Sequence, residues 1–368
     1  MGNFKRLEVK MQIRIKVDEF LEVLNKIKHI AKSEKTYPVL SNGIFETGND
    51  KVQITVASLN NKVIIDAPAE IIEPGKCLID IAKLTAILAT LSGNVLIEEK
   101  DSIIWIKKDN TKCKLEKTDL SVYPEDLFRF GYADITINIA AKDLFEAFKK
   151  SEKFSDYNSS GILNGININV SESIVKFAAT DGNKLAYIIK CTSSSDVNTN
   201  IIIPAFSVNS LLQLLPSEGD AAILLSKDIC KFEFENIKFY TRLIEGQFPK
   251  VEQLIPPKST TEFSVNKEEL KNALDRIGVV EVKDDKCVVM FTVKGGLMTV
   301  EAKDYKSNDV LTLEEKSGED ISFKLNRCFL MTVLNVLSGN FVKFKLTTPR
   351  SAILFPDKEN KFMIMPMT

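Results

Sequence analysis

The feature that most restricts what this chain can fold into is an internal repeat. The segment IKVDEFLEVLNKI begins at Ile15, IAAKDLFEAFKKS at Ile139 and VNKEELKNALDRI at Val265, so successive copies start 124 and 126 residues apart. An alternating stretch (MQIRI, ITINI, EFSV) precedes each copy and reads as a strand. Apolar positions at helical spacing follow, such as Phe20, Leu24 and Ile27. A second segment recurs in step: IAKLTAILATLSGN, AFSVNSLLQLL and CFLMTVLNVLSGN reach Leu91, Leu215 and Leu337, at spacings of 124 and 122 residues. Ser92-Gly93-Asn94 and Ser338-Gly339-Asn340 are helix-stopping turns, and alternating runs such as VLIEE and FVKFKL come after them. VQITVAS, SIVKFAAT and LMTVEAK add strands between the two helices. One unit is therefore strand, helix, strands, helix, strands, which predicts an α+β domain with two helices packed on one face of antiparallel sheet. A chain of 368 residues exceeds one ordinary core and divides into three such domains of about 120 residues each.

Composition narrows the function by exclusion. With 44% hydrophobic and 27% charged residues, the chain has the make-up of a packed globular protein. No apolar run reaches the roughly 18 residues of a membrane span, and MGNFKRLEVK has no secretory apolar segment, so a cytoplasmic protein is expected. Cys77, Cys113, Cys191, Cys230, Cys287 and Cys328 are scattered without a C-x-x-C pair, which reads as buried free thiols. The only histidine is His29, next to Lys28 near a helix end and expected to be solvated; histidine-dependent triads and zinc motifs are thereby excluded. Phosphate-loop, dinucleotide and nucleophile-elbow motifs are absent. No catalytic residue, metal or cofactor is expected. A carboxylate-dependent hydrolase on a repeated α+β scaffold is the competing class, but the pairs Asp284-Asp285 and Glu314-Glu315 sit among lysines and read as solvated loops. The net charge of −1 means that a polyanionic partner has to be argued from where the lysines lie.

Thr180-Asp181-Gly182-Asn183-Lys184-Leu185-Ala186 resembles the T-D-G-[HY]-R-L-A signature of the bacterial DNA polymerase III beta subunit, the beta sliding clamp family. Leu163-Asn164-Gly165, Arg242-Leu243-Ile244-Glu245-Gly246-Gln247-Phe248-Pro249 and the closing Met365-Pro366-Met367 resemble further family segments, as does Tyr37-Pro38-Val39-Leu40-Ser41-Asn42. The resemblance runs from about Met11 to the C-terminus, leaving residues 1–10 as an extension without an assigned role and placing three clamp domains at 11–133, 134–257 and 258–368. It implies a head-to-tail homodimeric ring, sheets outside and helices inside. Such a ring would encircle duplex DNA without sequence preference and tether the replicative polymerase, and its threefold repeat is what pseudo-sixfold symmetry requires.

The resemblance also implies a pocket in which polymerase, clamp-loader and repair proteins insert a short linear peptide. Its lining would be Leu163, Thr180, Gly182, Asn183, Lys184, Leu185, Pro249, Leu254, Met363, Ile364, Met365, Pro366 and Met367. Apolar walls and adaptable methionines suit such a ligand. Asn183 and Lys184 replace the usual His or Tyr and Arg, and Gln253 replaces a basic residue, so a different peptide preference is expected. The sets Lys28, Lys32, Lys35 and Lys142, Lys149, Lys153 fall at helical spacings, each predicted to form one face toward phosphates. AFSVNSLLQLL carries no basic residue. Cys113 and Leu115 from one copy and Val279 and Val280 from the other are the expected dimer contacts.

Overall fold

The computed structural model describes residues 11–32, 36–100, 103–159, 161–194, 196–280, 288–302 and 307–367. The first repeat runs β1 (Gln12–Lys16), α1 (Val17–Ile27), β2 (Asn42–Thr47), β3 (Lys51–Ala57), β4 (Asn61–Pro68), β5 (Glu70–Glu73), β6 (Lys76–Asp80), α2 (Ile81–Leu88), β7 (Asn94–Lys100), β8 (Ile103–Lys108) and β9 (Thr111–Glu116). The second runs β10 (Ile135–Ala140), α3 (Ala141–Ser151), β11 (Gly165–Ser171), β12 (Ile174–Thr180), β13 (Lys184–Cys191), β14 (Thr199–Pro204), α4 (Ala205–Leu212), β15 (Asp220–Leu225), β16 (Ile229–Phe234) and β17 (Ile237–Arg242). The third runs β18 (Thr261–Asn266), α5 (Lys267–Val280), β19 (Val288–Lys294), β20 (Leu297–Ala302), β21 (Asn308–Ser317), β22 (Ile321–Asn326), α6 (Arg327–Val336), β23 (Phe341–Leu346), β24 (Ile353–Asp357) and β25 (Asn360–Ile364). The strand, helix, strands, helix, strands order read from the sequence recurs in each, and the α+β class holds.

Local chemistry explains the elements. On α1, Val17, Phe20, Leu24 and Ile27 are buried, while Asp18 and Glu19 occupy the first turn where the helix dipole favours negative charge. The Asp80 side chain caps α2 by accepting from Lys83 N at 2.9 Å, and the Asn326 side chain caps α6 by accepting from Cys328 N at 2.8 Å. The three repeats also share their joints: Val17 N donates to Gly93 O, Ala141 N to Gly219 O and Lys267 N to Asn340 O, at 2.9, 2.9 and 2.8 Å. Each repeat ends in a two-residue hairpin, β8–β9, β16–β17 and β24–β25, whose first loop residue is left-handed: Asp109 (φ 47°), Glu235 (φ 48°) and Lys358 (φ 57°). A conformation that costs non-glycine residues energy, kept at one place three times, shows that hairpin twist decides there over residue preference.

By its internal contacts the chain divides into two compact units, residues 1–145 with 206–243 and residues 146–205 with 244–368. The first contains a five-stranded sheet, β5-β1-β7-β8-β9, and an eight-stranded sheet, β10-β15-β16-β17-β4-β3-β2-β6. The second contains a twelve-stranded sheet, β14-β11-β12-β13-β25-β24-β23-β18-β21-β20-β19-β22. Every strand pair described is antiparallel. Among the described residues no helix is long and apolar enough to cross a membrane.

Three expectations need correction. Among the described residues only Cys77 and Cys230 are buried thiols; Cys113 is half-buried, and Cys191 and Cys328 are exposed because they stand at the end of β13 and the start of α6. Cys287 lies outside the described residues. Glu314-Glu315 lies within β21 rather than in a loop, while Asp284-Asp285 is outside the described residues. His29 is half-buried rather than solvated, and burial lowers its pKa.

Candidate peptide site

The site grows from the loop between β12 and β13. Thr180 Oγ1 accepts from Gly182 N at 3.1 Å and donates to Lys184 O at 2.8 Å. Asp181 Oδ1 accepts from Asn183 N and Lys184 N at 2.9 and 2.8 Å. This satisfies the loop's backbone donors locally, and Gly182 supplies the left-handed φ of 88° that the turn needs. Gly165 acts differently, through its size. A Cβ there would run into Ile202 Cγ2, so only glycine lets β11 lie this close to β14.

Past the loop, β13 pairs with β25, with Leu185 opposite Met363 and Lys184 opposite Ile364; Met365 N then donates to Asn183 O at 2.8 Å. Alternation along β13 sends Leu185 and Tyr187 to one face and Lys184 and Ala186 to the other. On the first face Leu185, Tyr187, Met363, Leu354, Ala178 and Ile202 cluster with Phe248 and Val251, and Leu163 packs against them. Thr180 lies opposite Leu185 on β12. The structure therefore brings Leu163, Thr180, Leu185 and Met363 together. Gly182, Asn183 and Pro249 are exposed, and Pro366 and Met367 are half-buried. Leu254 and Met365 are large apolar groups left 57% and 44% exposed.

Two of the expected lining residues face away from the Leu185 cluster. Lys184 points to the opposite face, where its ammonium meets Asp181 Oδ2 at 2.7 Å and lies 5.7 and 5.8 Å from the Phe154 and Phe329 ring centres. Ile364, its cross-strand partner, is fully buried. Both follow from strand alternation: residues adjacent to Leu185 and Met363 in sequence must face away from them.

The lysine sets fare unequally. Helix α1 ends at Ile27, with Lys28 as its C-cap, and the chain turns so that Ile30 and Ala31 are buried. Lys28 and Lys32 are exposed but do not share a helix face; Lys35 lies outside the described residues. The physical reason is burial: Ile30 N donates to Ile27 O and Lys32 N to Ile30 O, short-range bonds that break the helical ladder. Lys142 and Lys149 are exposed on α3, and Lys153 is exposed on the single 3-10 turn Glu152–Phe154 that follows it. Of the expected dimer contacts, Cys113 and Leu115 lie on β9, the end strand of its sheet, and Val279 is 74% exposed in the last turn of α5. Val280 ends the same helix, and its side chain is outside the described set. Strand β21 pairs with β20 through residues 308–312 and with β18 through residues 313–317, so its first half has one side unpaired among the described residues.

Comparison with known proteins decides the family. Residues 138–250 match the DNA polymerase III beta subunit central domain, and residues 252–368 match its C-terminal domain. The chain belongs to the DNA polymerase III beta subunit family. The family's beta sliding clamp from Treponema pallidum is 24% identical over 375 residues, covering 97% of this chain and 99% of that protein. That of Bacillus subtilis is 24% identical, covering 92% and 93%. Among solved structures, the DNA polymerase III beta chain of Streptococcus pneumoniae superimposes with a TM-score of 0.91 at 19% identity, covering 97% of this chain and all of that one. The sliding clamp of Pseudomonas aeruginosa bound to griselimycin gives 0.90 at 20% identity, covering 97% and 99%.

Beside the family's motif residues stand groups that sequence reading missed. Tyr187, whose hydroxyl is 3.2 Å from Glu252 Oε1, shares the face of Leu185, and a two-residue step along β13 would have found it. Phe248 was marked by the segment Arg242–Pro249 but not assigned to the site, whereas Leu354, Ile202 and Val251 carried no such signal, because only β-pairing and the loop path bring them to this face.

Proposed function

We propose that the chain is a DNA sliding clamp: a homodimeric ring of three clamp domains per copy, at 11–133, 134–257 and 258–368, that encircles duplex DNA and tethers the replicative polymerase and other replication and repair proteins. It acts without catalysis, in the cytoplasm. The observation that carries this is a repeated strand joint. In the first unit β4 pairs with β17, Val63 opposite Phe239; in the second β13 pairs with β25, Ala186 opposite Phe362. Each joins the strand after one repeat's internal loop to the last hairpin strand of the next repeat. The matching strands left over are the first half of β21 and all of β9, each with an open edge among the described residues. A second copy supplies both partners and removes two exposed edges, closing the assembly by twofold symmetry.

The names of the matched relatives support this function over a carboxylate-dependent hydrolase. A net charge of −1 suits a ring that slides, since weak, screened phosphate contacts from lysines such as Lys142, Lys149 and Lys153 would be held in place by topology. Leu163, Thr180, Leu185 and Met363, with the exposed Leu254 and Met365 as candidate edges, form the pocket for partner peptides. An aliphatic or aromatic side chain buried there contributes about 1.5 to 3 kcal/mol before ordering costs. The test is retention on DNA: the loaded protein should stay on a covalently closed circle and run off an open-ended linear duplex. Equal departure from both would refute encirclement.

A further inference from the structure

The face that carries Leu185 and Met363 does not end with them. Farther along β13, Tyr187 and Ile189 continue the same row, with Leu354 and Pro356 of β24 on the same face, and together they floor a trough of about 780 Å³. Ile255, Pro256 and Pro257, at the start of the region that matches the C-terminal family domain, form its wall. Tyr187 and Leu354 belong to both the trough and the apolar cluster, so the two are one continuous surface.

The charge around this apolar floor is one-sided. Lys176, Lys258, Lys345, Lys358 and Lys361 line the trough against only Glu252 and Glu262. Both carboxylates are engaged: Glu252 lies 3.6 Å from Lys176, and Glu262 lies 2.9 Å from Lys345 and 3.1 Å from Lys343. Lys258 and Lys358 are exposed and Lys361 is half-buried, and none of the three has an acidic partner among the described residues. Three cations thus surround an apolar channel that leads out of the peptide site.

We propose that this trough is a second subsite for the same peptides, one that receives an acidic segment flanking the aliphatic-aromatic end and makes acidic flanks the preferred partner chemistry of this protein. The inference rests on the peptide site proposed above. A peptide fits better than a nucleic-acid backbone because the floor is Tyr, Ile, Leu and Pro, which reward burial of apolar side chains, with the ammonium groups grouped around it. Paired rim charges mainly select among partners and speed association, and the effect weakens with salt.

The experiment titrates three labelled probes into the full-length protein at low and high salt. One is a peptide with an aliphatic-aromatic end and a flank of four glutamates, the second carries glutamines in that flank, and the third is a duplex oligonucleotide. The glutamate flank should tighten binding about tenfold at low salt. That gain should vanish in 1 M salt and in a Lys258→Glu, Lys358→Glu double variant, whose affinity for the glutamine-flank peptide stays unchanged. Equal binding of both peptides would overturn the subsite and leave the peptide site standing. Binding of neither would overturn both. Displacement of the glutamate peptide by the duplex, with duplex binding lost in the double variant, would overturn the peptide subsite in favour of a nucleic-acid surface.

Discussion

The two strand joints within this chain are built alike and finished differently. In the first unit the end of β3, Ala57, faces Lys62 across its loop; in the second the end of β12, Thr180, faces Leu185 across its own. Lys62 then stands opposite Tyr240, with its ammonium 5.7 Å from the ring centre, where Leu185 stands opposite Met363. Beside the first joint the cluster of Phe128, Ile229 and Tyr240 is closed by Leu127 and Phe130, and burial lowers the Lys62 pKa. Beside the second, Leu254 and Met365 remain exposed and the apolar surface runs on into an open trough. Sheet continuity is a backbone property and repeats. The chemistry of the outward face is a side-chain property, and here the joint's outward pair is apolar in one unit and a lysine stacked on a tyrosine in the other.

That comparison extends to the third joint proposed between copies, where the largest effect is expected. A Val279→Asp variant places a charge where apolar surface would be covered twice in a symmetric dimer. The dimer should weaken by about 3 to 6 kcal/mol, at 1.5 to 3 kcal/mol for each copy. Sedimentation across a concentration series would register monomers, with thermal unfolding unchanged because Val279 is exposed in the single chain. A dimer as tight as the parent would break the analogy between the joints.

Ending the chain after Ile364 sharpens the contrast at the second joint. It removes Met365, Pro366 and Met367 but leaves the β13–β25 pairing of Lys184 through Tyr187 in place. Peptide affinity should fall by about 2 to 3 kcal/mol, the burial of one large apolar side chain, while dimer mass is unchanged. Equal peptide affinity in titration calorimetry would move the site elsewhere.

The smallest effect concerns acid stability. Burial works to raise the Glu146 carboxyl, but hydrogen bonds and charge from Lys150 and Lys190 outweigh it and hold the group at about 2, against an ordinary 4.5. Hydrogen bonds from Ser259 and Lys345 likewise hold Glu262 at about 2. Because both folded values are depressed, their contribution is complete above 4.5 and is lost as pH falls from 4.5 toward 2. Both groups lie in the second unit, so hydrogen exchange between pH 5 and 3 should rise there first, and a Glu146→Gln variant should flatten that response. Exchange that rises equally in both units would argue against this assignment.

How much of the molecule could be read in advance depended on distance along the chain. The repeat, the helices and most strands follow from periodicities a few residues long, and so were legible. The helical face drawn through Lys28 and Lys32 failed because Ile30 and Ala31 turn inward after Ile27, a choice made by the core and not by spacing. Lys184 and Ile364 face away from the Leu185 cluster for another reason. A motif marks a stretch of strand, but alternation gives only every second residue of it to one face, and which half faces the ligand is fixed by pairing.

By itself the sequence determined the threefold repeat of elements and the turn chemistry of Thr180, Asp181 and Gly182, because each is decided by neighbours in the chain or by a residue's own conformational limits. Tertiary structure alone decided that β13 lies beside β25, so that Leu185, Met363 and Leu354 meet with Phe248 and Val251, and that Lys176, Lys258 and Lys358 surround one trough. Those groups come from segments far apart in the chain. Register and strand order, which no local pattern encodes, are what bring them to one face.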